Sequence, residues 1–281
     1  MKEIKHIIRD ELPIVTYLHS KYKKRQNGIY DKIKSNSIFK NIHKGERCFI
    51  LGTGPSIKDV EIKKLSDEYV ICLNLFFKHH DFSKLNKKYI CASPNHSPYL
   101  YQPWDYIFSQ KYLNDVQIFI GDADYEFSIS SYLRKNNLMN RNNIHLLNYY
   151  SAPVVNKKNI NFKSFHDLSK GPLISPVTTL ILALQIANYM GFEEINLLGI
   201  DHDQIKEKTN TQINGHFYEN NEEYENLNNN QLDYKRIFSW YYNAWGQYQL
   251  FKNFYDNEKV NIFNLNKNSY LDVFPIKDIK I

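Results

Sequence analysis

The first candidate for chemistry is the segment 52–56, which reads Gly-Thr-Gly-Pro-Ser and follows the apolar run 48–51. An apolar run that stops at glycines and continues into a mixed segment is typical of a buried strand, a tight turn and the start of a helix. The amides and the positive dipole end at a helix N-terminus favour phosphate. A plain turn without a ligand is the alternative. The residues predicted to bind phosphate are Gly52, Thr53, Gly54, Pro55 and Ser56.

Polar side chains also follow other predicted strands or open a predicted helix. Asn74 ends a strand-like run from residue 69, and Ser93 ends another from residue 88. Ligands of open α/β sheets bind beyond the carboxyl ends of the strands. Thr178 and Thr179 open an apolar helix, where hydroxyls either cap the helix or bind phosphate. We expect these four residues to complete a nucleotide site, with turn and capping roles as the alternative.

The sequence Asp201-His202-Asp203 lies at the carboxyl end of a further strand-like run, 194–201. Asp201 is a candidate base or ribose contact, and His202 a candidate phosphate or substrate contact. Asp-x-Asp also occurs in metal-dependent sugar transferases, so Asp201 and Asp203 could instead hold Mg²⁺ or Mn²⁺ with a sugar diphosphate. We expect no metal and keep that site as the alternative.

His216 and Tyr218 lie in the polar stretch 204–230, which we interpret as a lid. A lid histidine can close over a site and accept a proton near neutral pH, and a nearby phenol can donate to a phosphate oxygen. The predicted catalytic residues are therefore His216, Tyr218, Asp201 and His202. An exposed histidine on a polar loop is the alternative for His216.

Predicted strands alternate with predicted helices along the chain. This order predicts an α/β fold, with a Rossmann-like, mostly parallel sheet and helices on both faces. We expect an N-terminal helical arm over residues 1–44 and a nucleotide-binding catalytic domain over 45–281, with the lid at about 204–230.

Composition limits the class of protein and its partners. The net charge of +6 favours anionic partners, but the lysines and arginines are scattered, so we expect no nucleic acid. The three cysteines lie in apolar runs without metal-ligand spacing, which indicates buried thiols in a reducing, cytoplasmic setting.

The chain offers little for membrane insertion. No run approaches the roughly 18 apolar residues of a membrane span. The basic and apolar segment 1–26 could lie on an anionic membrane surface, which would make the protein peripheral at the inner membrane, and a packing helix is the alternative.

These segments, in this order, resemble the bacterial sialyltransferases of glycosyltransferase family 42. They also resemble the wider group of polysaccharide enzymes with the same Rossmann-like domain, including the pterin-pyrophosphokinase-like MptE branch. The family's Gly-Asn-Gly-Pro-Ser is similar to residues 52–56. Its Asn after the second strand, its Asn-Pro and its Thr-Ser are similar to Asn74, Ser93-Pro94 and Thr178-Thr179. Its Leu-Gly-Tyr-Lys-Glu-Ile-Tyr-Leu-Ser-Gly-Ile-Asp is similar to residues 190–201.

The resemblance implies inverting, metal-independent transfer of a sialic-acid-like sugar from a CMP donor to a glycan or lipid-linked glycan. It places the chain in capsule, lipopolysaccharide or O-antigen assembly, and leaves peripheral membrane contact and a homo-oligomer as open options. Three positions depart from the family. Thr53 replaces an Asn, the family's general-base His aligns near Tyr242, and Asp203 replaces a phosphate-binding Tyr. His216 and Tyr218 are the candidates to take over the last two roles.

Two other hypotheses stay open beside this one. One is a metal-dependent transferase of a nucleoside-diphosphate sugar that uses Asp201 and Asp203. The other is a pterin-pyrophosphokinase-like protein that binds a nucleotide for another purpose.

Overall fold

The computed structural model describes residues 28–93, 104–122, 128–150, 167–170, 173–174, 176–203, 205–206, 216–218 and 234–278. Most of the predicted arm and most of the predicted lid lie outside these residues. The chain divides into two compact units, the first made of Met1–Ile42 and Ala92–Ser175 and the second of His43–Cys91 and Pro176–Ile281. The predicted boundary at residue 45 stays a prediction.

The regular elements of the described residues alternate as an α/β protein requires. The strands are β1 (Arg47–Leu51), β2 (Tyr69–Leu73), β3 (Lys87–Ala92), β4 (Gln117–Asp122), β5 (Ile144–Tyr150), β6 (Leu173–Ile174), β7 (Glu194–Leu198) and β8 (Asn261–Asn264). The α-helices are α1 (Ile29–Lys34), α2 (Trp104–Ser109), α3 (Ile129–Lys135), α4 (Thr179–Met190) and α5 (Tyr234–Glu258).

The second unit contains a parallel sheet in the order β3-β2-β1-β7-β8. The chain runs from β1 outward to β3 and then returns to the other side of β1 as β7. Strand order therefore reverses between β1 and β7, which is where open α/β sheets form a ligand crevice. The predicted α/β fold with a mostly parallel sheet is confirmed.

Helix α4 packs on β1 and β2 and is buried on nearly all sides. Its sequence supplies the reason, because apolar side chains surround the helix instead of forming a single stripe. The helix ends at Gly191, whose φ of 90° is the left-handed conformation of a C-cap glycine, as the sequence predicts.

Helix α5 packs beside β8 through a single stripe of its surface. The buried residues recur every three or four positions, which places them on one side of a helix. They are Ala244, Gln247, Tyr248, Phe251 and Tyr255.

The segment after the glycine turn differs from the prediction of one helix reaching Leu65. It forms two 3₁₀ turns, Pro55–Asp59 and Ile62–Leu65, separated by extended backbone at Val60. Ile57 and Ile62 are both fully buried. Residues five apart on an α-helix point about 140° away from each other, so the chain must break to bury both.

The three cysteines occupy three neighbouring strands of this sheet. Cys48 lies in β1, Cys72 in β2 and Cys91 in β3, and all are free and buried. Burial raises the pKa of each thiol, because the thiolate loses its hydration. The prediction of buried cysteines is confirmed.

The first unit contains parallel strands β4, β5 and β6, with β5 in the middle. Just beyond α1, Asn36 donates from Nδ2 to the carbonyls of Leu146 (2.9 Å) and Leu168 (3.2 Å). His145 of β5 is buried against Phe39 and Phe119, and burial lowers its pKa to about 4.

None of the helices in the described ranges combines the length and the apolar character that crossing a bilayer would require.

Candidate functional site

The carboxyl ends of β1, β2 and β7 meet at one edge of the second unit's sheet. Leu51, near the end of β1, lies beside Cys72 of β2 and Leu198 of β7. The residues that follow these three strands are therefore brought together, including the glycine turn, Asn74 and Asp201. This is the arrangement that the positions of the polar residues in the sequence predict.

The glycine turn packs directly against the turn that follows β7. Gly52 N–H donates to Leu198 O (2.7 Å), and Gly54 N–H donates to Gly199 O (2.9 Å). A Cβ on Gly54 would lie 2.7 Å from Gly199 O and would also overlap the carboxylate of Asp201. Gly52 and Gly54 thus allow the turn after β1 to approach the turn after β7 closely. The sequence pattern had suggested a close approach of the backbone to a phosphate.

Asp201 is held by three hydrogen-bond donors and is only 7% exposed. The Ser56 amide donates to Oδ2 (2.8 Å), the Ser56 hydroxyl donates to Oδ1, and Asn266 Nδ2 donates to Oδ1 (2.6 Å). A carboxylate engaged in this way fixes the turn after β1 and is poorly placed to act as a base or to bind ribose. The amides of Gly52, Gly54 and Ser56 are hydrogen bonded within the protein, and Pro55 has no N–H, so these four positions do not present an amide to a phosphate. Phosphate binding by the turn stays a prediction.

Thr53 is the member of the turn that contacts the predicted lid. Its Oγ1 lies 2.9 Å from His216 Nδ1, and its carbonyl accepts the Phe217 amide (2.9 Å). The Phe217 ring packs on Phe76 (5.7 Å between centroids) and His79 (5.3 Å). The structure therefore places His216 at the carboxyl edge of the sheet, although 163 residues separate it from Thr53.

Burial lowers the pKa of His216, and a hydrogen bond to the Thr53 backbone acts in the opposite direction. The imidazole is therefore neutral at pH 7 and able to accept a proton. Tyr218 stacks on the His216 ring (centroids 5.0 Å apart, planes at 5°), and Lys78 Nζ lies 5.1 Å from the centroid of the Tyr218 ring. Lys78, a cation beside Tyr218, is a residue that sequence reasoning missed; its position shortly after β2 was the available signal.

Asn74 and Thr179 meet at the same edge of the sheet. Thr179 Oγ1 donates to Asn74 Oδ1 (3.2 Å), and Asn74 has a left-handed backbone (φ 49°) that turns the chain after β2. Thr178 is the N-cap of α4, but its side chain does not cap the helix. Its hydroxyl lies instead 2.7 Å from the hydroxyl of Tyr248.

His202 is buried against side chains of α5. Its Nε2 is 2.8 Å from Tyr248 Oη, and the rings of Trp240 and Trp245 lie 5.7 and 5.4 Å from its own. Burial lowers its pKa to about 4, so it is neutral at pH 7. This burial disfavours the expected direct contact between His202 and a substrate. Tyr248, which links His202 to Thr178, is a residue that sequence reasoning missed.

Ser93 directly follows β3, is half-buried and belongs to the first unit, whereas the other predicted site residues belong to the second.

Each aspartate of the alternative metal site has a partner within the protein, and the site stays an alternative. Asp203 pairs with Lys206 (3.2 Å), while both oxygens of Asp201 accept hydrogen bonds. In the part of the chain that the structure describes, the group with metal-ligand spacing is His79, His80 and Asp81.

Two solved structures are similar to this chain. The sialyltransferase CstII from Campylobacter jejuni, in complex with the substrate analogue CMP-3FNeuAc, matches with a TM-score of 0.44 and 18% identity, over 83% of this chain and 86% of that chain. An alpha-2,3-sialyltransferase from Campylobacter jejuni in apo form matches with a TM-score of 0.43 and 21% identity, over 83% and 80%. No family model and no curated protein matches the chain.

Proposed function

We propose that this protein is a glycosyltransferase with a nucleotide-sugar donor. More narrowly, it transfers a sialic-acid-like sugar from a CMP donor to a hydroxyl of a cell-surface glycan, with inversion and without a metal ion. The observation that carries the proposal is the position of His216, a neutral imidazole held on Thr53 at the edge of the sheet where α/β proteins bind ligands. The motifs shared with glycosyltransferase family 42 support the choice of donor.

The hydrogen bond to Thr53 gives His216 a defined role in this reaction. When Nδ1–H donates to Thr53 Oγ1, the lone pair lies on Nε2, which takes the proton of the acceptor hydroxyl. The acceptor oxygen then bonds to the anomeric carbon of the donor sugar. The bond from that carbon to the phosphate oxygen breaks at the same time, and the electron pair leaves with CMP.

The leaving phosphate gains negative charge as this bond breaks, and stabilising that charge lowers the barrier most. Tyr218, which stacks on His216, supplies a phenol, and Lys78, which lies over the Tyr218 ring, supplies a cation. Asn74, Thr178 and Thr179 supply polar groups at the start of α4, whose dipole end is positive. The amides of Gly52, Gly54 and Ser56 take no part, because they are hydrogen bonded within the protein.

Replacing the proposed base tests the chemistry. We expect His216→Ala and His216→Gln to lower the rate of sugar transfer by about a hundredfold to ten-thousandfold, the usual contribution of a general base. The measurement is transfer from CMP-sialic acid to a glycan acceptor, with melting curves to show that each variant folds. His80→Ala, an exposed histidine of the same unit, is the matched control. Full turnover by a folded His216→Ala variant would remove this residue from the mechanism.

A thermal-shift screen of the wild-type protein against CMP, CDP, UDP, GDP and ATP tests the donor class. A ligand at 100 times its dissociation constant adds about 2.7 kcal/mol of stability. Preference for CMP supports the proposal, whereas preference for ATP favours a pterin-pyrophosphokinase-like protein. Transfer that stops in EDTA and returns with Mg²⁺ or Mn²⁺ would favour the metal-dependent alternative.

A further inference from the structure

A hydrogen-bonded series of three side chains, His202, Tyr248 and Thr178, connects the protein interior to the start of α4. The mechanism proposed above does not use this series. His202 Nε2 lies 2.8 Å from Tyr248 Oη, which lies 2.7 Å from Thr178 Oγ1. Tyr248 is fully buried and His202 is 8% exposed, whereas Thr178 is half-buried. The hydrogen-bonded series therefore begins in the protein interior at His202. It ends at Thr178, at the edge of the sheet where Thr179 meets Asn74.

The backbone around Thr178 is fixed from the same helix that carries Tyr248. Gln247 Oε1, on α5, accepts the amide of Val177 (2.9 Å). Thr178 does not cap α4 with its side chain, so its hydroxyl is directed by Tyr248. Two neighbouring residues of α5 thus hold both the main chain and the side chain at the start of α4.

The two hydrogen bonds of this series can point in either direction, because a neutral imidazole carries one N–H, on either nitrogen. With the proton on Nε2, His202 donates to Tyr248, Tyr248 donates to Thr178, and the Thr178 hydrogen is available to another acceptor. With the proton on Nδ1, every bond reverses: Thr178 donates to Tyr248, and Tyr248 donates to His202. The tautomer of His202 therefore decides whether the Thr178 hydrogen is already used.

The surroundings of Nδ1 favour the first arrangement. This nitrogen is buried and has no hydrogen-bond partner among the described residues. Burying an unpaired N–H is rarer in proteins than burying an unpaired acceptor. The proton therefore belongs on Nε2, and this N–H donates a hydrogen bond to Tyr248 Oη. Burial also keeps His202 neutral and the Tyr248 phenol protonated at pH 7, since it lowers the pKa of the first and raises that of the second.

We propose that His202 and Tyr248 are positioning residues that orient the hydroxyl of Thr178 as a hydrogen-bond donor to an anionic ligand at the start of α4. The identity of that ligand, the phosphate of the nucleotide, rests on the proposed function. The direction of the hydrogen bonds does not, because it follows from the buried His202 environment.

The tautomer of His202 is tested on the free protein by two-bond ¹H–¹⁵N NMR of the imidazoles. The His202 signals are assigned by their loss in a His202→Asn variant, since Asn tolerates the left-handed backbone at this position (φ 52°). We expect a protonated Nε2 and an unprotonated Nδ1 at pH 7. A proton on Nδ1 would overturn the proposal, whatever the protein binds.

The effect on the ligand is tested by calorimetric titration with CMP and, separately, with cytidine, which lacks the phosphate. We expect Tyr248→Phe to weaken CMP binding by about tenfold and to leave cytidine binding unchanged, since a hydrogen bond to a charged group is affected. Tyr255→Phe is the matched control. This tyrosine is also fully buried on α5, but its hydroxyl donates to Leu184 O (2.8 Å). Equal weakening by the two variants would overturn the proposal.

A double-mutant cycle shows whether Tyr248 acts through Thr178. Thr178→Val should weaken CMP binding more than Tyr248→Phe does, Thr178→Ser should retain it, and adding Tyr248→Phe to Thr178→Val should change it less than twofold. Additive effects would contradict the role of Tyr248. If the wild-type protein binds neither CMP nor any other nucleotide of the screen, the proposed function fails. The NMR result then decides by itself which group donates in each hydrogen bond of the series.

Discussion

At the scale of single residues, the site combines positions that the sequence identifies with partners that it does not. Thr53 and Asn74 could be selected because polar side chains after buried runs collect at one edge of a parallel sheet. Thr179 could be selected because it opens an apolar helix, and His216 because it lies in a long polar stretch. That Ser56 and Asn266 would engage Asp201 could not be predicted. These bonds span 145 and 65 residues, and no local pattern encodes them.

Gly54 provides a direct test of the contact between the two turns. Its φ of −63° and ψ of 155° suit any residue, so Gly54→Ala introduces no backbone strain, and only the new methyl group against Gly199 and Asp201 matters. We expect a loss of about 1–3 kcal/mol in the free energy of unfolding, the usual effect of overpacking, measured by urea denaturation.

Gly45→Ala is the control that measures backbone strain without a steric clash. Its added Cβ would meet nothing within 4 Å, whereas its φ of 83° is unfavourable for alanine. The left-handed backbone alone should cost about 1–2 kcal/mol for an L-residue such as Ala. A stability for Gly54→Ala equal to that of the wild-type protein would show that the two turns can separate without cost.

At the scale of elements, periodicity identifies the strands well and their ends less well. The strand expected over 194–201 ends at Leu198, because Gly199 and His202 have left-handed backbones that turn the chain. The helix expected after the glycine turn is instead two 3₁₀ turns, because tertiary burial of Ile57 and Ile62 outweighs local preference. Long apolar elements with clear ends, such as α4, which is apolar on all sides and ends at Gly191, are those that the sequence predicts most completely.

Helix α5 should depend on its buried stripe and little on its exposed side. Phe251 is fully buried and Phe238 is 56% exposed on the same helix. We expect Phe251→Ala to lower the free energy of unfolding by about 3–5 kcal/mol, the cost of a large cavity, and Phe238→Ala to change it by less than about 0.5 kcal/mol. Equilibrium denaturation of the two variants measures both. Equal losses would mean that this helix is not packed on the sheet as described.

At the scale of the whole molecule, each compact unit buries a histidine with a pKa of about 4, His145 in the first and His202 in the second. In the unfolded chain the pKa of histidine is about 6.5, so the folded state binds fewer protons as the pH falls. Stability should therefore be complete above about pH 6.5 and decline towards pH 4. Each histidine contributes about 2 kcal/mol to the difference between pH 7 and pH 5.

Urea denaturation at these two pH values measures this dependence. His202→Asn should reduce the pH-dependent loss by about 2 kcal/mol, whatever its effect on stability at pH 7. An unchanged pH dependence in this variant would mean that His202 is protonated in the folded protein or accessible to water.

The placement of the cysteines has a practical consequence for following these transitions. All three belong to adjacent strands of the second unit, and the first unit has none. Buried thiols with raised pKa values react with alkylating reagents only after their surroundings open. The rate of thiol modification thus reports the opening of β1, β2 and β3 without any introduced label, and distinguishes unfolding of that sheet from unfolding elsewhere in the chain.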